Sequence, residues 1–351
     1  FNISQLTLDA VKSFGLGNKE ALRCKNMWTL GLALWMFDRD RAPIVEWLRT
    51  KFAKAPQLAE ANIAALNAGH AYGETVEIGS AGLDHAGIRQ HHIAAAPAEP
   101  GLYRTVTGAE SLSVGLVAGT QLAGLDMFFG GYPITPASAI LHHLSRLKEY
   151  GITTFQAEDE IAAICAAIGA SYAGQLGVTS SSGPGIALKT EAIGLAIMTE
   201  LPLVIVNSQR GGPSTGLPTK TEQADLMQAL YGRNSEAPVV VLAPATPGDC
   251  FYIAYEAVRI AIKYMVPVMV LSDGYLANGS EPWLIPDVTT LPDIPVAFRT
   301  ENAAHQGVDL AGVQPHRAGP LHRPPHLRLE SHGAVAQFLA TQLLTDGGFA
   351  D

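Results

Sequence analysis

From about residue 112 to residue 273 the sequence alternates short apolar runs with stretches of helical character, and this alternation restricts the fold more than any other feature. The runs are Leu125–Phe129, Thr153–Ala157, Leu176–Thr179, Leu203–Asn207, Val239–Leu242 and Val268–Leu271. Strands buried on both faces and joined by crossover helices define an α/β fold with a parallel, doubly wound sheet. In such a sheet ligands collect at the carboxyl ends of the strands, and each motif considered below falls at one.

Composition agrees with a well-buried chain, since 48% of residues are hydrophobic and only 16% charged. A formal charge of -9 with no Lys/Arg run argues against nucleic acid as a partner. Cys24, Cys165 and Cys250 lie far apart and none belongs to a CxxC pair, so they build neither a disulfide framework nor a metal cluster. A reducing, cytoplasmic setting is expected. The apolar stretch Met27–Phe37 is too short to span a bilayer and no signal peptide precedes it, so no membrane association is expected. The sequence opens at Phe1 without a methionine and reads as a fragment or a processed product.

The regions outside the alternation differ from it. Residues 1–72 read as helical, with Met27, Leu30, Leu34 and Phe37 on one face, Ile44, Trp47, Leu48 and Phe52 on the next, and a third helix over Ala59–Leu66 stopping near Gly69. Residues 73–100, ending AAAPAEPG, have linker composition. Order decays after Leu284. The tract PHRAGPLHRPPHLRLESH, residues 315–332, holds four histidines, but its prolines forbid a helix that would bring them together, so a disordered tail rather than a metal site is expected.

Four stretches can carry chemistry. In YPITPAS, Pro136 suits the first turn of a helix and Thr135 is placed to cap it; equally, a hydroxyl at a strand end beside a helix N-terminus can contact an anion. In FQAEDEIAAICAAIGASYAG, Glu158, Asp159 and Glu160 head an alanine-rich helix thin enough for other backbone to approach. Acids are favoured there by the helix dipole alone, yet a partly desolvated carboxylate can also share a proton with a heterocycle. SSSGPGIA is a strand-to-helix turn whose Gly183 and Gly185 admit a ligand closely, although it matches no dinucleotide or triphosphate fingerprint. In QRGGPSTGLPTKTEQADL, Arg210 at a strand end is suited to grip a carboxylate, with Thr219 and Lys220 further along; a surface turn accounts for the same composition. No G-x-S-x-G or H-E-x-x-H occurs, and His91–His92 and His142–His143 read as surface or core-edge residues.

Taken in order, YPITPAS, the FQAEDE helix start, TSSSGPG and QRGGPSTGLPTKTEQADL resemble the alpha subunit of the 2-oxoacid:ferredoxin oxidoreductases, most closely the 2-oxoglutarate branch. The likeness covers residues 105 to about 285. It extends to NMWTLG from Asn26 and ANIAALNAGH from Ala61, which look like the closing helices of the gamma domain that some members fuse ahead of alpha. The resemblance implies a gamma-like part over 1–77, a linker over 78–104 and a thiamine-diphosphate-binding domain of the pyrimidine type over 105–285; over 286–351 an irregular or disordered tail, or a truncated next domain, is expected. It also implies that Glu160 holds the aminopyrimidine nitrogen and drives the cofactor to the tautomer that removes the C2 proton. By the same resemblance, Tyr132, Pro133, Ile134, Ser182, Gly183 and Pro184 would line the cofactor, Thr135 and Arg210 would hold the substrate's 1-carboxylate and keto end, and Thr219 and Lys220 would lie in the loop that selects its side chain.

In that family magnesium, the diphosphate contacts and a 4Fe-4S cluster belong to a beta subunit, so the chain is expected to act only with that partner. Together they are expected to form a dimer of heterodimers that oxidises 2-oxoglutarate, or pyruvate or a branched 2-oxoacid, to the acyl-coenzyme A and reduces ferredoxin. A non-oxidative 2-oxoacid decarboxylase with split chains and a non-catalytic remnant are the alternatives. The departure from the family after Phe298 reads as a damaged reading frame.

Overall fold

A computed structural model describes residues 2–75, 94, 96–296 and 298. Two units divide the chain, Phe1–Glu99 and Pro100–Asp351. The first unit is helical: α1 Ile3–Val11, α2 Asn18–Arg23, α3 Lys25–Met36, α4 Ala42–Lys51 and α5 Pro56–Thr75. The expected stop at Gly69 does not occur, because α5 runs on to Thr75. Gly69 serves close packing instead. A Cβ on it would lie 1.8 Å from the Trp28 carbonyl oxygen, and a Cβ on Gly31 would lie 1.9 Å from that of Leu66. Backbone therefore meets backbone where α3 crosses α5. That contact turns Trp28, Gly31 and Leu32 inward, and leaves the expected stripe of Met27, Leu30, Leu34 and Phe37 half-buried or exposed. In α4 only Leu48 is buried, while Trp47 lies outside with the Lys51 ammonium 4.3 Å from the centre of its ring.

The second unit holds β1 Tyr103–Thr107, α6 Gly108–Leu122, β2 Met127–Gly131, α7 Ser138–Leu144, β3 Ile152–Gln156, α8 Glu160–Tyr172 and β4 Leu176–Ser181. It continues with α9 Gly183–Met198, β5 Leu203–Gln209, α10 Leu226–Tyr231, β6 Val240–Leu242, α11 Asp249–Tyr264, β7 Pro267–Asp273, α12 Gly274–Asn278 and β8 Ser280–Leu284. All six expected strands are present, in one parallel sheet of order β3-β2-β4-β5-β7-β6. Side chains alternate across it, as a strand period of two requires. Val204, Val206, Val268 and Val270 enter a core with α6 and α11, whereas Leu203, Ile205, Met269 and Leu271 enter a second core with α8 and α9. The doubly wound arrangement is thus two separate cores on one sheet.

Two features depart from the sequence reading. β1 and β8 form an antiparallel pair outside the main sheet, from Tyr103 opposite Leu284 to Thr107 opposite Ser280. Beyond Ile285 the described chain has the expected irregular backbone, yet it does not leave the fold: Val288, Leu291 and Ile294 are buried in the α6/α11 core. The histidine-proline tract, His91–His92 and most of the stretch 78–104 lie outside the described residues. No helix among the described residues is long and apolar enough to cross a membrane.

Candidate active site at the carboxyl edge of the sheet

The strand order reverses at β2, whose neighbours are β3 on one side and β4 on the other. Loops leaving β2 and β4 therefore diverge and open a crevice, the usual place for a ligand in an open α/β sheet. Helix α8 reaches this point after β3 and passes closely beneath it: a Cβ on Gly130 at the end of β2 would lie 2.3 Å from the Ala163 carbonyl oxygen. The alanine-rich composition is what allows that approach.

The three acids at the head of α8 separate by role. Glu158 is exposed. Asp159 caps the helix, its carboxylate accepting the Ala162 N–H at 2.7 Å. Glu160 is the first helical residue and is half-buried, and among the described residues its carboxylate has no hydrogen-bond or ion-pair partner. It leans over the β4–α9 turn, where a Cβ on Gly185 would lie 2.9 Å from Glu160 Cγ and 3.0 Å from Oε1. The same Cβ would lie 2.0 Å from Ser181 Oγ, a buried hydroxyl that itself has no hydrogen-bond partner among the described residues. Only glycine at 185 leaves room for both groups, so the turn is shaped around two polar atoms that the fold does not satisfy.

Beside this cradle the chain ties three expected site residues through one atom. The Thr135 carbonyl oxygen accepts from Arg210 Nη1 at 2.7 Å and from Ser182 Oγ at 3.3 Å. Arg210 Nη2 donates to the Thr215 carbonyl at 2.7 Å, while its Nε is buried with no hydrogen-bond partner among the described residues. Ser182 Oγ also donates to Ser208 O at 2.7 Å. The Thr135 side chain is exposed and caps nothing: α7 begins at Ser138, behind an Ala137 that offers no side-chain cap. The reason lies in Pro136 and Ala137, which occupy a turn before the helix starts.

Tyr132 and Pro133 are exposed and Ile134 half-buried, on the loop leaving β2. Gly183 and Pro184 open α9, and a Cβ on Gly183 would meet the Asp225 carboxylate at 2.9 Å. The loop after Arg210 folds back on itself, Gly211 N–H donating to Lys220 O and Leu217 N–H to Gly211 O, each at 2.8 Å. Thr219 and Lys220 are exposed on it, and their side chains make no hydrogen bond among the described residues. The structure thus gathers Thr135, Ser182 and Arg210, sets Glu160 against Gly185, and leaves Thr219 and Lys220 on the rim.

One residue of this region was missed in the sequence. Lys189, in α9, is wholly buried beneath Glu160. Burial pulls its ammonium down to about 8, against the opposing pull of Glu160, Cys165 and Asp159. The signal lay in its spacing, three residues after Ile186 and four before Ile193, both in the α8/α9 core. The histidine reading holds for His142, which is exposed, and for His143, half-buried, where burial lowers the pKa. Among the described residues no cluster of His, Cys, Asp or Glu can hold a metal ion.

A fold with its crevice at a β2/β4 switch point, an unpartnered acid at a helix start and glycine-lined turns defines a cofactor-binding domain, and the chain belongs to the pyruvate flavodoxin/ferredoxin oxidoreductase family of thiamine-diphosphate-binding domains, whose profile matches residues 119–328. Similar curated proteins carry more specific names. The chain is 57% identical over 296 residues to the 2-oxoglutarate oxidoreductase subunit KorA of Mycobacterium tuberculosis, covering 84% of this chain and 44% of that one. It is 44% identical over 207 residues to the 2-oxoglutarate synthase subunit KorA of Archaeoglobus fulgidus, covering 59% and 57% respectively. Among solved structures, the 2-oxoglutarate:ferredoxin oxidoreductase from Magnetococcus marinus with 2-oxoglutarate, coenzyme A and succinyl-CoA bound matches with a TM-score of 0.71 at 29% identity, over 95% of this chain and 60% of that one. The chain spans about half the length of these relatives.

The residues fit the cofactor that the family implies. An aminopyrimidine brings a ring nitrogen for a lone carboxylate and polar edges for an orphaned hydroxyl, and Glu160 and Ser181 present that pair beside a turn that no larger residue could occupy.

Proposed function

We propose that this chain is the pyrimidine-side subunit of a 2-oxoacid:ferredoxin oxidoreductase acting on 2-oxoglutarate, converting it with coenzyme A to succinyl-CoA and reducing ferredoxin. The observation that carries this is the half-buried, unpartnered Glu160 carboxylate at the β2/β4 crevice, next to the Thr135–Ser182–Arg210 knot. Thiamine diphosphate, when bound, supplies the carbon nucleophile and the electron sink for decarboxylation. Glu160 holds and exchanges a proton at the aminopyrimidine nitrogen, and Tyr132, Pro133, Ile134, Ser182, Gly183 and Pro184 wall the ring. Arg210 meets the 1-carboxylate by giving up its bond to the Thr215 carbonyl, and keeps Thr135 in place through the other. Lys220, on the rim with Thr219, faces the second carboxylate of a diacid.

Residues 105–285 form the catalytic half-site and residues 1–77 the end of a gamma-like domain. A beta partner contributes magnesium, the diphosphate contacts and a 4Fe-4S cluster. Support for a partner comes from the outward faces of α8 and α9, where Ile161, Leu188, Leu195 and Met198 are 50%, 53%, 45% and 82% exposed. Large exposed apolar patches of this kind mark association surfaces. Co-expression with the gene for the partner, followed by a panel of 2-oxoglutarate, pyruvate and branched 2-oxoacids with a viologen dye, tests the proposal. Dye reduction that needs both coenzyme A and 2-oxoglutarate is expected. Failure of the two chains to co-purify, or substrate turnover without dye reduction, would count against it.

A further inference from the structure

Lysine is almost never fully buried without a pairing that compensates it. Lys189 has no solvent exposure at all, and its Nζ donates to two neutral oxygens, Thr179 Oγ1 at 2.8 Å and the Glu160 carbonyl at 3.0 Å. The core that α8 and α9 build on this face of the sheet is aliphatic, with Ile186, Ile193, Leu203, Ile205, Met269 and Leu271 in it. A leucine or methionine would fill the same space with no desolvation cost, so packing gives no reason for an ammonium here. Its position does. The carbonyl it grips belongs to the first residue of α8, the residue whose carboxylate stands at the crevice, and the hydroxyl it grips lies on β4, the strand leading into the glycine turn. One cation therefore joins the floor of the site to the backbone of its acid.

We propose that Lys189 is a positioning residue for Glu160, anchoring the start of α8 to β4 so that the Glu160 carboxylate is held at the crevice. The inference rests on the role of Glu160 proposed above. Glu160, Cys165 and Asp159, on α8 or capping it, are the titratable groups that act on the lysine; β4 brings only the neutral Thr179 hydroxyl, and β5 and β7 turn aliphatic side chains to this face. The buried ammonium is held down at about 8.

The test uses the full chain co-expressed with its partner and loaded with thiamine diphosphate and magnesium, comparing wild type, Lys189→Met, Lys189→Met with Thr179→Val, and Glu160→Gln. The double variant removes both ends of a buried hydrogen bond, which restores stability if the lysine is only structural. Three quantities are read: the melting temperature, kcat and KM for 2-oxoglutarate, and the near-ultraviolet circular dichroism of the bound cofactor. In both lysine variants kcat is expected to fall by about tenfold or more with KM changed by less than about twofold. The dichroism band of the bound cofactor is expected to weaken. The double variant is expected to melt near the wild-type temperature without recovering kcat. A double variant with wild-type kcat and dichroism, or one that does not assemble, overturns the inference, since the lysine is then dispensable or a folding element. If Glu160→Gln keeps full turnover, the proposed function falls and this inference with it. If Glu160→Gln is inactive and the lysine variants are normal, only this inference falls.

Discussion

Arg210 and Lys189 are the two buried cations of the crevice, and the chain treats them differently. Arg210 spreads its planar fork over two backbone carbonyls, whereas Lys189 concentrates its charge on one carbonyl and one hydroxyl. Arg210→Met is expected to lower kcat/KM by about 2–4 kcal/mol in transition-state terms, and Arg210→Lys to recover little, because an ammonium cannot hold Thr135 and a carboxylate together. Steady-state kinetics of the complex decide this, and an unchanged kcat/KM would return Arg210 to a loop-holding role. Lys189 gives a prediction about stability. Its folded pKa of about 8 is below the ordinary lysine value of roughly 10.4, so between those pH values the unfolded chain binds more protons than the folded one. Stability therefore rises with pH across that window, by up to about 3 kcal/mol from this group, and the contribution is flat below it. Urea titrations through the window should show the slope in the wild type and lose it in Lys189→Met.

At the scale of elements, legibility followed burial. The six sheet strands were readable because continuous apolar runs leave a two-face-buried strand few alternatives. β1 and β8 were not: YRTVT and SEPWL are short and partly polar, and only their pairing across nearly the whole unit makes them strands. Thr135 looked like a cap because sequence cannot tell a turn before a helix from its first residue. Lys189 passed unnoticed since a single lysine in a helix is usually a solvated one. Gly69 was read as a helix stop on propensity, and tertiary contact overrode it. That contact is testable. Gly69→Ala is expected to cost about 1–3 kcal/mol by forcing α5 away from α3, without altering catalysis in the second unit. Denaturant unfolding followed by tryptophan fluorescence should report the loss, because Trp28 is fully buried at the crossing.

For the whole molecule, the uneven treatment of its two helical layers matters most. On one side α11 buries Cys250, Phe251, Ala254, Val258 and Ala261, and its outer face mixes the charged Glu256, Arg259 and Lys263 with the exposed rings of Tyr252 and Tyr264. On the other side α9 carries Leu188, Leu195 and Met198 outward, with Glu191 as the one exposed charge between them. Produced alone, the chain is expected to self-associate, and replacing Leu195 and Met198 by glutamate is expected to keep it monomeric while abolishing assembly with the partner. Light scattering and co-purification check both halves. If the proposed partner covers this face, a cell that translated this polypeptide in excess of it would accumulate sticky orphans for chaperones and proteases to clear, and the dosage of the two messages would itself be constrained by this surface.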